Sequence, residues 1–196
     1  MPILGFSFQL RTEHTFEVIC MQDYKLSYLE EEIQKFYEMI GITHPSQLDR
    51  DVFAENLDIR IHYLQMESRR YSRDNMHTII LDSRLEPREQ WADFGHELKH
   101  ILHHVGDQTR MSNLFKELQE RQANNFMYHF CVPTFMLLKV DFPELRSAAI
   151  EYVADLFKVT CEFAAKRLEI FERNLNDQRF HRSLTKRIQS NGGIAV

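Results

Sequence analysis

The spacing of apolar residues along the chain changes from helical to alternating and back again. Leu26, Leu29, Ile33, Phe36 and Ile40 recur at intervals of three and four, with Glu30, Glu31 and Glu32 between them. That pattern predicts an amphipathic helix, stopped by Gly41 and then Pro45. Ser46 to Asn56 predicts a second, short helix. Leu57, Ile59, Ile61 and Tyr63 then alternate with Asp58, Arg60 and His62, the period of a half-buried strand. Glu67 to Asp74 is polar and predicts an exposed edge strand, and His77 to Leu81, with Thr78, Ile79 and Ile80, predicts a central one. Everything after Pro87 reads as helix. The first twenty residues follow neither period, although Phe6, Phe8, Phe16 and Ile19 are apolar.

The helix that follows Pro87 has two unlike faces. Trp91, Phe94, Leu98, Ile101, Leu102 and Val105 fall within an arc of roughly 100°, ready to enter a core. His96, His100, His103 and His104 fall on the other side, with Glu97 at the border. Residues four apart on a helix sit about 40° apart and one turn up, so His96 and His100 can meet one ion. Zinc suits such a pair because it takes nitrogen ligands at about 2.0–2.1 Å and leaves a position open for water. Glu97, next to the first histidine, is placed to reach that water rather than the metal.

A third ligand has to come from elsewhere. A helix predicted from about Ser112 to Cys131 follows a short connection, Gly106 to Arg110, so the two helices should pack antiparallel. Folding back brings Glu120 toward the histidines, with Asn124 one turn on as a hydrogen-bonding support. Glu117, one turn before Glu120, is the competing ligand. Tyr71, His104 and His129 are candidates for stabilising a developing oxyanion. The polar strand at Glu67 to Asp74 offers an edge to which a substrate peptide could add.

Residues 141–175 predict a pair of helices. Pro143 opens the first, Lys158-Val159 makes a turn, and Thr160 caps the second. Ala154, Phe157, Val159, Ala164 and Leu168 have helix-turn-helix spacing. Glu162, Glu169 and Glu172 balance Lys166, Arg167 and Arg173 in the second helix, so it lacks the charge to grip phosphates. Packing on the core or recognition of a protein is the expected role. From 176 to 196 the chain is basic, with Arg179, Arg182, Lys186 and Arg187, and is expected to be a flexible tail.

Composition narrows the class. Of 196 residues, 43% are hydrophobic and 15 are Phe, enough for a real core. A net charge of -5 is not the footprint of a protein that coats nucleic acid, although it leaves room for a local basic patch, and nucleic acid is not expected as a partner. Three widely separated cysteines make no disulfide framework, and no apolar run approaches the ~20 residues of a membrane span. The expectation is a cytoplasmic chain with no membrane attachment. Within Glu17-Val-Ile-Cys-Met21, bacterial codons for Glu-Val-Ile read as a ribosome-binding sequence, which makes 1–20 an extension ahead of a start at Met21.

His96-Glu-Leu-Lys-His-Ile-Leu-His-His104, then Glu120-Arg-Gln-Ala-Asn-Asn-Phe126 and Val132-Pro133, resembles the ImmA/IrrE family of zinc metallopeptidases over about residues 24–175. Lys99, Met127 and Phe130-Cys131 depart from the usual residues without removing a ligand. The resemblance implies an α+β, helix-rich, gluzincin-like core at 21–140, with a small antiparallel or mixed sheet and a helix-turn-helix-like subdomain at 141–175. It also implies one Zn2+ per chain on His96, His100 and Glu120, with Glu97 as catalytic base. His104 matches a histidine that often recurs after the motif. The implied function is cleavage of a helix-turn-helix transcriptional repressor, derepressing a prophage, mobile element or stress regulon. The alternative is a non-catalytic anti-repressor that binds the repressor stoichiometrically.

Overall fold

Ser27 opens the first helix with a reciprocal cap: its hydroxyl accepts from the Glu30 backbone N–H, while the Glu30 carboxylate accepts from the Ser27 N–H at 2.7 Å. In the computed structural model, which describes residues 24–73, 76–103 and 112–191, this helix is α1 (Tyr28–Met39). After it come a 3-10 turn (Pro45–Gln47), α2 (Arg50–Asn56), β1 (Ile59–Leu64), β2 (Arg69–Arg73) and β3 (Met76–Asp82). The rest is helical: α3 (Pro87–His103), α4 (Asn113–Cys131), α5 (Thr134–Leu137), α6 (Arg146–Leu156) and α7 (Cys161–Asn191). The chain is therefore a helix-rich α+β fold with a small mixed sheet. The expectations for residues 1–20 and for His104 lie outside the described residues.

The sheet order is β1-β3-β2, with β3 central as its apolar sequence predicts. β1 runs parallel to β3 and β2 antiparallel to it, which leaves β2 at an edge. Ile79 and Leu81 are fully buried on the inner face, where α3 packs. Below lies an aromatic core: Tyr37, Phe53, Phe94 and Phe130 have no exposure, and the rings of Phe53 and Phe130 meet edge-on at 4.9 Å. The Tyr37 hydroxyl donates to the Phe130 carbonyl at 2.7 Å, satisfying a backbone acceptor in the last turn of α4.

Gly95 brings α3 and α4 together. A Cβ there would lie 2.9 Å from the Cys131 Sγ and 3.1 Å from Phe130 Cδ1, both buried, so only glycine lets the two helices approach this closely. Leu98, one turn on, is fully buried. Leu102, read as a core position, is instead exposed at 37%. His100, on the other side of α3 and next to Glu120 of α4, is buried at 4%.

Three further readings need correction. The helix expected over Ser46 to Asn56 is two pieces, because Leu48 turns into the core with an extended backbone and Asp49 then caps a fresh helix through the Asp51 N–H. The first C-terminal helix begins at Arg146 rather than Pro143. The segment expected to be a flexible tail is helical through Asn191. Leu175 anchors it in the core at 3% exposure, and Gln178 exchanges two hydrogen bonds with the Lys25 backbone at 2.9 and 2.8 Å.

The turn between α6 and α7 forms as expected. Lys158 adopts a positive φ of 57°, and the Thr160 hydroxyl accepts from the Phe163 N–H at 3.1 Å. Val153, Phe157, Ala164, Leu168 and Phe171 are fully buried in the same core as Phe94 and Phe130, so one core runs through residues on both sides of 140.

Glu30 and Arg167, though charged, are buried at 3% and 0%. Thr134 joins them: its hydroxyl donates to Glu30 Oε1 at 2.6 Å and accepts from Arg167 Nη2 at 2.6 Å. Arg167 Nε also donates to the Val132 carbonyl at 3.0 Å, and the Tyr24 hydroxyl donates to Glu30 at 2.9 Å. This cluster ties α7 to α1 and to the end of α4. His129 lies in it, with Nδ1 3.5 Å from Glu30 Oε1, and so is not at the candidate site where an oxyanion would form.

Candidate metal centre

α3 and α4 present three ligand atoms to one point. His96 Nε2 lies 3.2 Å from His100 Nε2 and 3.2 Å from Glu120 Oε2, and His100 Nε2 lies 3.5 Å from Glu120 Oε1. Among the described residues, His96, His100 and Glu120 form the one group of three or more such side chains able to share an ion. The spacing fits zinc: ligands at about 2.0–2.1 Å in tetrahedral array stand about 3.3 Å apart. Glu117 lies outside the group, so the helix register favours Glu120.

The local sequence explains the convergence. His96 and His100 stand one turn apart on α3, the first partly and the second almost fully buried. The antiparallel return through α4, drawn close by Gly95, carries Glu120 across to them. Asn124, one turn later on α4, places Oδ1 3.1 Å from His96 Nδ1. An Nδ1–H that donates to this oxygen leaves the Nε2 lone pair directed at the shared point.

Glu97 sits beside the trio, half-buried, and burial pushes its carboxyl up to about 7. The Arg70 guanidinium and backbone N–H on β2 oppose that rise, while Glu120 and Asp93 add to it. A dication held by the trio would draw it down again. Arg70 thus puts the edge strand next to Glu97. Tyr71 is not brought to the trio: it is 53% exposed, on the opposite face of the sheet from Arg70. Lys99 packs its Nζ 5.2 Å over the Phe126 ring, and burial lowers its pKa, with Glu32 opposing.

Sequence reasoning missed the part played by Arg70 and by Gly95. The available signal for Arg70 was its place in a polar strand one element away from the histidine pair. For Gly95 it was a glycine inside a strongly periodic helix, a sign of close packing.

A fold with this sheet, this helix pair and this trio is that of a metallopeptidase-like domain, and comparison with known proteins gives its family. Residues 54–169 match the family model described as Peptidase_M78, IrrE N-terminal-like domain, and the chain belongs to that family. It is 49% identical over 164 residues to the phage-like element PBSX protein XkdA of Bacillus subtilis, covering 84% of this chain and 82% of that one. It is 42% identical over 162 residues to YqaB of the same organism, an uncharacterized protein, covering 83% and 94%. A Mycobacterium tuberculosis transcriptional regulator of known structure superposes with a TM-score of 0.53 at 15% identity, which is a likeness of fold. That match spans 73% of this chain and 56% of the regulator. No helix among the described residues is long and apolar enough to cross a membrane.

Proposed function

We propose that this protein is a zinc-dependent endopeptidase that cleaves a helix-turn-helix transcriptional repressor in the cytoplasm. The observation that carries the reading is the 3.2–3.5 Å triangle of His96, His100 and Glu120 beside Glu97. Family membership and the likeness to a phage-element protein support a role in controlling a mobile element.

Zinc, when bound, supplies a Lewis acid for the scissile carbonyl and lowers the pKa of water. His96, His100 and Glu120 hold it, and Asn124 fixes the His96 ring. Glu97 accepts the proton of the attacking water and passes it to the leaving amide nitrogen. The open edge of β2 holds the substrate backbone by strand pairing, with Arg70 closest to Glu97. The α6–α7 pair, fused to the core through Arg167, serves as a rigid surface for the protein substrate rather than for DNA.

The test is incubation of the zinc-loaded protein with a candidate repressor, followed by gel analysis and mass spectrometry. Cleavage at one site, lost in Glu97→Gln while zinc is retained, supports the reading. A stable complex with an intact repressor supports stoichiometric capture instead.

A further inference from the structure

We infer that the site is selective for extended substrate segments bearing carboxylates, and that Arg69 is a specificity-determining residue; this rests on the endopeptidase reading above. Arg70 pairs with Ile79, which is fully buried, so Arg70 shares the inner face with the core and α3. α3, which carries Glu97, packs against β2 as well as against β3, so the free edge of β2 runs beside Glu97. Successive strand residues alternate faces, so Arg69, Tyr71 and Arg73 share the outer face, where all three are exposed.

A peptide that adds to this edge passes next to Glu97 and sets its outer-face side chains opposite that row, about 4.5–5.5 Å away. Arg69 favours a carboxylate there, and the Tyr71 ring next along the row favours an apolar side chain. The pattern sought is thus an acidic residue and an apolar one two positions away. The Arg69 guanidinium has one hydrogen bond, from Nε to the Glu67 backbone carbonyl at 3.4 Å, and pairs with no carboxylate among the described residues. Its charge is available to a ligand. Three arginines in a five-residue strand, in a chain of net charge -5, form a local field of opposite sign to the molecule as a whole.

Arginines also keep edge strands from aggregating, and the two roles make different predictions. A solubilising charge is indifferent to sign, whereas a recognition charge is not. The full-length, zinc-loaded protein is incubated with a randomised mixture of synthetic peptides, and new N-termini are identified by mass spectrometry. The expected result is enrichment of Asp and Glu by roughly two- to fivefold near the cut, the range for an exposed ion pair. That enrichment disappears in Arg69→Gln and turns to Lys and Arg in Arg69→Glu. For the best acidic peptide, the loss in Arg69→Gln falls on KM rather than kcat. Cutting without acidic enrichment, or the same enrichment in Arg69→Glu as in wild type, overturns the inference and leaves the peptidase reading intact. Failure of the zinc-loaded wild type to cut any peptide overturns both.

Discussion

His96 Nδ1 and Asn124 Oδ1 lie 3.1 Å apart across the α3–α4 interface, which turns the other nitrogen of the imidazole toward His100 and Glu120. Supports of this kind hold a ring in the tautomer and orientation that a metal needs. Asn124→Ala is therefore expected to weaken zinc binding about 10- to 100-fold, without unfolding the protein. Competition against a chromophoric chelator measures this, and an unchanged affinity would remove Asn124 from the site.

Helix spacing sets the distance between the histidines and Glu120. Gly95→Val places a branched side chain where a Cβ alone would meet Cys131 Sγ at 2.9 Å. Overpacking of this kind costs typically 1–3 kcal/mol. Urea denaturation is expected to show that loss, and zinc affinity is expected to fall with it because α4 is pushed away from α3. A variant of wild-type stability would mean the interface is looser than these contacts indicate.

Arg167 is a buried cation held against Glu30 through Thr134. Removing one member of such a group strands the other charge. Arg167→Met is expected to cost about 3–5 kcal/mol in denaturant unfolding. Glu30→Gln combined with Arg167→Met should recover much of that loss, since no charge is then left unpaired. Additive losses in the double variant would show that the two residues act independently.

Acid should destabilise the same cluster. Burial, with the Arg167 charge next, pulls the His129 pKa down, against the pull of Glu30. Burial alone would raise Glu30, but the Thr134 hydroxyl, the Ser27 backbone and hydroxyl, and His129 bring its carboxyl below the usual range. Both shifts mean that the unfolded chain binds more protons than the folded one in acid. His129 stability is thus present above the ordinary imidazole pKa of about 6.5 and is lost as pH falls below it. Glu30 adds a loss at lower pH, through the carboxylate range. Unfolding of chelator-treated protein between pH 7.5 and 4 is expected to show the decline, with His129→Leu flattening its upper part. A flat profile in the wild type would contradict it.

Much of the site was readable because its chemistry is periodic. His96 and His100 at one-turn spacing, and an antiparallel partner helix to supply a third ligand, follow from helical geometry. The edge position of β2 followed from its polarity and the central position of β3 from its unbroken apolar run. The choice of Glu120 over Glu117 needed the family resemblance, since both lie one turn apart on the same helix.

Single charged residues were harder to read. Glu30 sits among other acids and resembles a solvated face, yet its carboxylate serves both the helix cap and the core. Arg167 occupies the apolar row of α7 with Ala164, Leu168 and Phe171. A charge in such a row requires a buried partner, and that was the signal to follow. The helical course of the chain to Asn191 was missed because its anchor, Gln178 on the Lys25 backbone, is a contact between segments 153 residues apart.

The most direct measurement is the zinc content of the full-length protein after saturation and removal of loosely held metal, read by elemental analysis beside three variants. The account predicts one zinc per chain in the wild type and in Glu97→Gln, and strong depletion in His100→Ala and Glu120→Ala. A wild type that retains no zinc, or a Glu120→Ala protein that retains a full equivalent, would contradict it.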